Sequence, residues 1–103
     1  MISNKQGMIE QLNKIFESRI RLGIMSALMV NDSMNFNELK ELLDVTDGNL
    51  ASHLKPLEEN KFIKVEKGFV GRKTNTIYQV TRTGEKAFKA HIDALEKMIR
   101  NIK

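Results

Sequence analysis

Apolar residues recur every three or four positions from Met8 to Leu57, then every second position from Phe62 to Val80, then at helical spacing again to the end. The change of period divides the chain into a helical part, a β part and a closing helix. Met8, Leu12, Ile15 and Phe16 predict a first amphipathic helix over roughly residues 6–17. Ile20, Ile24, Met25 and Leu28 predict a second, closed by Asn31-Asp32-Ser33. Phe36 stands alone in a polar break and marks at most a one-residue strand. Asn37 then caps a short helix with the stripe Leu39, Leu42 and Leu43, because its side-chain oxygen can accept an N–H that the first turn leaves free. After Val45, Thr46 caps a further helix carrying Leu50, Leu54 and Leu57 to about Asn60. Pro56 falls inside it. Proline lacks the N–H and crowds the preceding turn, yet the apolar row continues through Leu57, so a kink is expected rather than a stop.

The alternating segments Phe62–Lys67 and Thr76–Thr81, β-branched and aromatic, predict two strands. Between them "GFVGRKTN" reads as a long basic hairpin tip. Thr83 or Thr81 caps a last helix with the stripe Phe88, Ile92, Leu95, Ile99 and Ile102. The element order is α-α-α-α-β-β-α, with a tight turn from Asp44 to Thr46 joining two short helices. That is a winged helix-turn-helix, α+β and mostly α, in a single domain over residues 1–103. Residues 36–60 form the helix-turn-helix, 61–82 the two-stranded wing, and 1–18 and 83–103 the flanking helices.

One helix is oddly made. In "TDGNLASHLK" the outward positions Gly48, Asn49, Ser52 and His53 are all weak helix formers. A surface that faces a DNA major groove needs small residues for close approach and short polar ones to read base edges. Asn49, Ser52 and His53 suit that task, Gly48 gives room, and Thr46 and the helix N-terminal amides suit a phosphate oxygen, with Asp47 beside them in the first turn of the same DNA-facing helix. Lys55 faces the flanking backbone. The plainer account is that Thr46-Asp47-Gly48-Asn49 are cap and turn residues only.

Charge sharpens this picture. The net +4 is mild, but residues 61–89 hold eight cations against two anions, a local +6, while residues 1–60 carry −3. Lys67, Arg72, Lys73 and Asn75 sit at or near the hairpin tip, where phosphate or minor-groove contact is expected. Edge hairpins also carry lysine merely to resist strand pairing. The last helix has a longer apolar stripe than a small sheet needs to cover. Met8, Leu12, Ile15, Phe88, Ile92, Leu95, Ile99 and Ile102 are therefore assigned to a homodimer contact, which would set two reading helices about 34 Å apart; completion of the monomer core is the alternative.

Other chemistries find little support. Cysteine is absent, which excludes disulfides and thiolate chemistry. There is no phosphate loop, no HExxH and no nucleophile–base set, so neither an enzyme nor a cofactor is expected. His91 and Asp93 are too few for a metal site. No apolar run approaches a membrane span or a signal peptide, and a cytoplasmic location is expected.

Residues 36–98, with "DGNL", "HL", "KGFVGR" and the spaced Thr81, Gly84 and Ala87, resemble MarR/ArsR-type winged-helix transcriptional regulators, in particular a small single-domain subgroup. The resemblance implies a dimeric DNA-binding regulator, usually a repressor. It carries reading positions onto Asn49, Ser52, His53 and Lys55 and wing cations onto Arg72 and Lys73. Pro56 and Lys61 depart from the Lys/Arg and Gly common there, and the metal-sensing residue sets of ArsR-type sensors are missing. Double-stranded DNA and a second copy of the chain are thus the expected partners. Alternatives are a protein-interaction module docking an acidic partner, and, third, RNA binding, which the scarcity of exposed aromatics disfavours.

Overall fold

A computed structural model of the chain describes residues 9–100. Four α-helices and a three-stranded antiparallel sheet follow one another as α1 (Arg19–Val30), β1 (Met34–Asn35), α2 (Phe36–Leu43), α3 (Asp47–Glu59), β2 (Ile63–Val70), β3 (Lys73–Val80) and α4 (Arg82–Arg100), with a 3-10 turn at Lys14–Phe16 ahead of them. The strand order is β1-β3-β2. Phe16, Ile24, Met25, Leu28, Leu39, Leu50 and Leu57 are fully buried at the centre. Phe16 packs its ring against Phe62, Phe88 and His91, each at 5.3 Å between centroids.

The predicted helix over residues 6–17 does not run that far. Ile9 and Glu10 are helical, and the helix ends there. Asn13 is the reason: its side chain accepts the Ile15 N–H at 2.9 Å, and its own N–H donates to His91 Nδ1 at 2.9 Å. A continuous helix would have turned that N–H toward the carbonyl four residues back. Positions 6–8, Met8 among them, lie outside the described residues, as does Ile102.

Two caps also shift. Met34 and Asn35, rather than Phe36, form the short strand, opposite Tyr78 and Ile77 of β3. Asn35, not Asn37, then caps α2 in a reciprocal box: it accepts the Glu38 N–H at 2.8 Å while the Glu38 carboxylate accepts the Asn35 N–H at 2.8 Å. Phe36 becomes the first helical residue. At α3 the Thr46 hydroxyl accepts the Asn49 N–H at 3.1 Å, as expected, and the helix runs unbroken past Pro56 to Glu59.

The hairpin is longer and its tip shorter than its sequence suggests. β2 and β3 pair from Ile63↔Val80 out to Val70↔Lys73, leaving only Gly71 and Arg72 in the turn. Gly71 has φ +64°, the positive value that the first position of such a tight turn demands.

The base of the hairpin is closely tied to its neighbours. After α3 the Lys61 N–H donates to the Glu58 carbonyl at 2.9 Å and the Phe62 N–H to the Leu57 carbonyl at 2.9 Å, a Schellman ending in which Lys61 takes the left-handed position at φ 62°. Thr81, rather than Thr83, caps α4: its hydroxyl accepts the Gly84 N–H at 2.9 Å and donates to the Lys61 carbonyl at 2.7 Å. Gly84 lies so close to Phe62 that a Cβ there would sit 2.0 Å from the Phe62 carbonyl oxygen.

Candidate nucleic-acid interface

The core fixes how α3 is presented. Leu50, Leu54 and Leu57 are buried, at 0%, 4% and 0% exposure, and define one side of the helix. At about 100° per residue, Gly48, Ala51, Ser52 and Lys55 fall on the other side, and all four are exposed. Nothing lies within 4 Å of where a Gly48 Cβ would be. Ser52 Oγ donates to the Asn49 carbonyl at 3.0 Å, which leaves its oxygen free to accept. Pro56 has no N–H to offer the Ser52 carbonyl, so that acceptor also lacks its helical donor. Thr46, Asp47 and Asn49 are exposed at the helix start. Asp47 meets Lys40 at 2.8 Å across the turn, which offsets its negative charge where a phosphate would approach.

His53 is placed differently. It is half-buried on the flank of α3, where Arg21 Nη1 lies 2.8 Å from its Nδ1. A guanidinium has only donors, so Nδ1 accepts and the ring proton sits on Nε2. The same arginine's Nε donates to the Ile15 carbonyl. Burial and then the Arg21 charge hold the His53 pKa below its ordinary value, favouring the neutral ring that this bond requires. His91 behaves alike on α4: its Nδ1 accepts from Asn13, and burial, opposed by Glu17, lowers its pKa. It is a packing histidine. Among the described residues no three potential ligands cluster to hold a metal ion.

Beside α3 the hairpin projects away from the core. Every residue from Glu66 to Thr74 is exposed, including Lys67, Arg72 and Lys73, and none of these cations meets a carboxylate within ion-pair distance among the described residues. Asn75 lies back along β3 opposite Gly68, half-buried, and lines a small recess with Asn35, Phe36 and Asn37. It is not a tip residue.

A protein-family model described as a winged-helix DNA-binding domain matches residues 20–99. The chain belongs to that winged-helix family. The match contains the whole stretch, 36–98, on which the regulator resemblance rests. In winged-helix terms α3 takes the place of the second helix of the helix-turn-helix and β2–β3 the place of the wing. The uncharacterised protein MJ0432 of Methanocaldococcus jannaschii is 40% identical over 89 residues, covering 86% of this chain and 97% of its own length. A transcriptional regulator homologue from Pyrococcus horikoshii OT3 superposes with a TM-score of 0.75 at 31% identity, over 91% of this chain and 98% of that one. Diamide-treated YodB from Bacillus subtilis shares the winged-helix fold with a TM-score of 0.76 at 20% identity, over 86% and 87% of the two chains.

The remaining predicted positions divide. Phe88 is 7% exposed and part of the monomer core, so it is removed from the dimer contact; it packs edge-on against Phe16. Leu12, Ile15 and Leu95 are half-buried, while Ile92 and Ile99 are exposed on α4 at 44% and 71%. With Met29 and Val30 of α1, Ile92 borders an open cavity of about 450 Å³ between the two helices. Two features of the interface escaped sequence reasoning. Ala51 shares the open side of α3, which a helical wheel drawn from Leu50 would have shown. Arg21 gave no signal at all, because its partner is 32 positions away.

Proposed function

We propose that this protein is a sequence-specific, DNA-binding transcriptional regulator that acts as a repressor and binds a pseudo-palindromic operator as a homodimer. The observation that carries the reading is the open side of α3, made of Gly48, Ala51, Ser52 and Lys55, set beside a wing whose cations meet no carboxylate partner among the described residues. Small and hydroxyl side chains admit base edges, with Ala51 suited to a thymine methyl and Ser52 to either a donor or an acceptor. Asn49, at the helix start, can pair with an adenine. Phosphates fall to Thr46, Lys55, Lys67, Arg72 and Lys73, with Asp47 and Asn75 in supporting positions. His53 offers its Nε2–H alone, as a donor from the flank.

Dimerisation is supported by the exposed Ile92 and Ile99 and by Val30, 81% exposed, on the adjoining helix. Leu95, and Leu12 and Ile15 of the preceding segment, extend that contact, and Met8 and Ile102 are assigned to it from the sequence. The activity is binding alone, without catalysis or cofactor. Occupation of a promoter by such a dimer excludes other proteins from it, which is the physical basis for repression. The Pyrococcus horikoshii relative, titled a transcriptional regulator homologue, supports the same role.

Selection from a random duplex pool tests the reading. The expected result is an enriched inverted repeat whose half-sites lie about 34 Å, one helical turn, apart. A pool that stays random after repeated rounds would favour a protein-interaction role for the same fold.

A further inference from the structure

Phe69 and Val70 are exposed at 74% and 67%, next to the turn of the wing. A lone exposed valine means little. A phenylalanine and a valine together at the end of a hairpin, beyond any surface they could cover, need another explanation. Gly68 and Gly71 flank the pair, so no side chain adjacent along the chain shields them. Phe69 stands opposite Thr74 and Val70 opposite Lys73. Successive strand residues alternate faces, so Phe69 continues the face of Ile63 and Val65 while Val70 lies on the other. Near them are Lys67, Arg72 and Lys73, with the anion Glu66 three positions back along β2. An apolar point flanked by cations that meet no carboxylate among the described residues matches a partner with anions outside and apolar surface within. Double-stranded DNA has that construction, with phosphates at the rim of each groove and stacked bases beneath.

We propose that the wing tip is an apolar wedge: Phe69, backed by Val70, enters a minor groove beside the major groove held by α3, unstacks a base step and bends the duplex. The inference rests on the DNA-binding reading above and adds a mechanism to it. A two-stranded hairpin is as wide as a major groove admits, so the Phe69 side chain alone, not the strand pair, enters the minor groove of about 6 Å, and the kink opens the step that receives it. Proteins that kink DNA from the minor groove insert side chains of this type. The cost of unstacking depends on the step, being lowest at TA and CA/TG. The wing therefore selects sequence at positions where it makes no hydrogen bond to a base.

The test uses the full chain and a duplex carrying the motif recovered by selection. End-to-end energy transfer reports bending, and 2-aminopurine walked through the sequence flanking each half-site reports unstacking. The wild-type chain should brighten 2-aminopurine at one step per half-site and shorten the end-to-end distance. Phe69→Ser should abolish both signals and weaken binding roughly tenfold, with the dependence of log affinity on log salt unchanged because the phosphate contacts remain. Phe69→Leu should retain both signals. Because Phe69 is exposed, Phe69→Ser should unfold at the wild-type temperature. Bending and unstacking that persist in Phe69→Ser would overturn the wedge while leaving DNA binding intact. So would a wild-type chain whose Phe69 matters only for binding phosphatidylglycerol vesicles. If the wild-type chain enriches no motif, the DNA-binding reading itself fails, and that is seen before any variant is made.

Discussion

The two ends of the wing hairpin share one hydrogen-bonded ladder and opposite surroundings. At the base, Ile63 is 2% exposed, and Thr81, Lys61, Phe62 and Gly84 bind the strands to both flanking helices. At the tip every side chain faces solvent and the only fixed feature is the two-residue turn. The base holds the hairpin at its angle to α3, and the tip is free to meet a partner. Changes at the base should therefore alter stability, and binding only where they disturb the set of the hairpin against α3, whereas changes at the tip should alter binding alone.

The severest way to break the comparison is Gly84→Ala. Its Cβ collides with backbone rather than with a flexible side chain, so the base must open. A loss of about 3 kcal/mol is expected, read as a lower midpoint in urea, with wing amides near Phe62 exchanging faster. A protein as stable as wild type would show that the close approach at Phe62 is not a constraint.

Acid acts on the body and spares the tip, which has no histidine. The folded pKa of His91 lies below the ordinary 6.5, so its contribution is complete above that value and is lost as pH falls through the folded pKa. Unfolding midpoints should fall between pH 7.5 and pH 5 more for the wild type than for His91→Gln, whose side chain takes no proton there. Equal slopes would remove His91 as the acid-sensitive group.

Lys61→Gly sharpens the contrast from the other side. A left-handed residue with a Cβ costs about 1 kcal/mol, so glycine should raise stability by that amount without changing affinity for DNA.

The smallest effect on stability belongs to Arg72→Ala, within about 0.5 kcal/mol of wild type. Binding should nevertheless weaken on all duplexes alike, with the salt slope reduced by about 1. A change of motif in pool selection would mean that Arg72 reads bases.

Most of the fold was legible in the residue pattern because it depends on local rules. Ile20 to Leu28, the Thr46 cap and the alternation at Ile63/Val65 and Tyr78/Val80 each name their own element. The failures share one cause. Asn13 fits a helix until His91, 78 positions away, takes its N–H. Asn35 and Asn37 are equal as caps until Glu38 completes the box with the first. Phe88 and Ile92 share a stripe, and only the packed body shows that one is interior and the other exposed. At the interface, the odd composition of α3 was readable, but the flank position of His53 was not, since Arg21 is distant in the chain. Thr81, Gly84 and Ala87 were visible as a motif without a reason. The contact with Phe62 supplies one for Gly84.

Both histidines of the chain lend the same ring nitrogen to one short segment, His91 to Asn13 and His53 to Arg21. That stretch, residues 13–21, therefore ties α4 to the flank of α3, with the buried Phe16 lying between the two bonds. A displacement of α4 would pull on Asn13 at one end of this stretch and on the Phe16 ring in its middle, so the Arg21–His53 contact at its other end is held jointly by polar bonds and by the core.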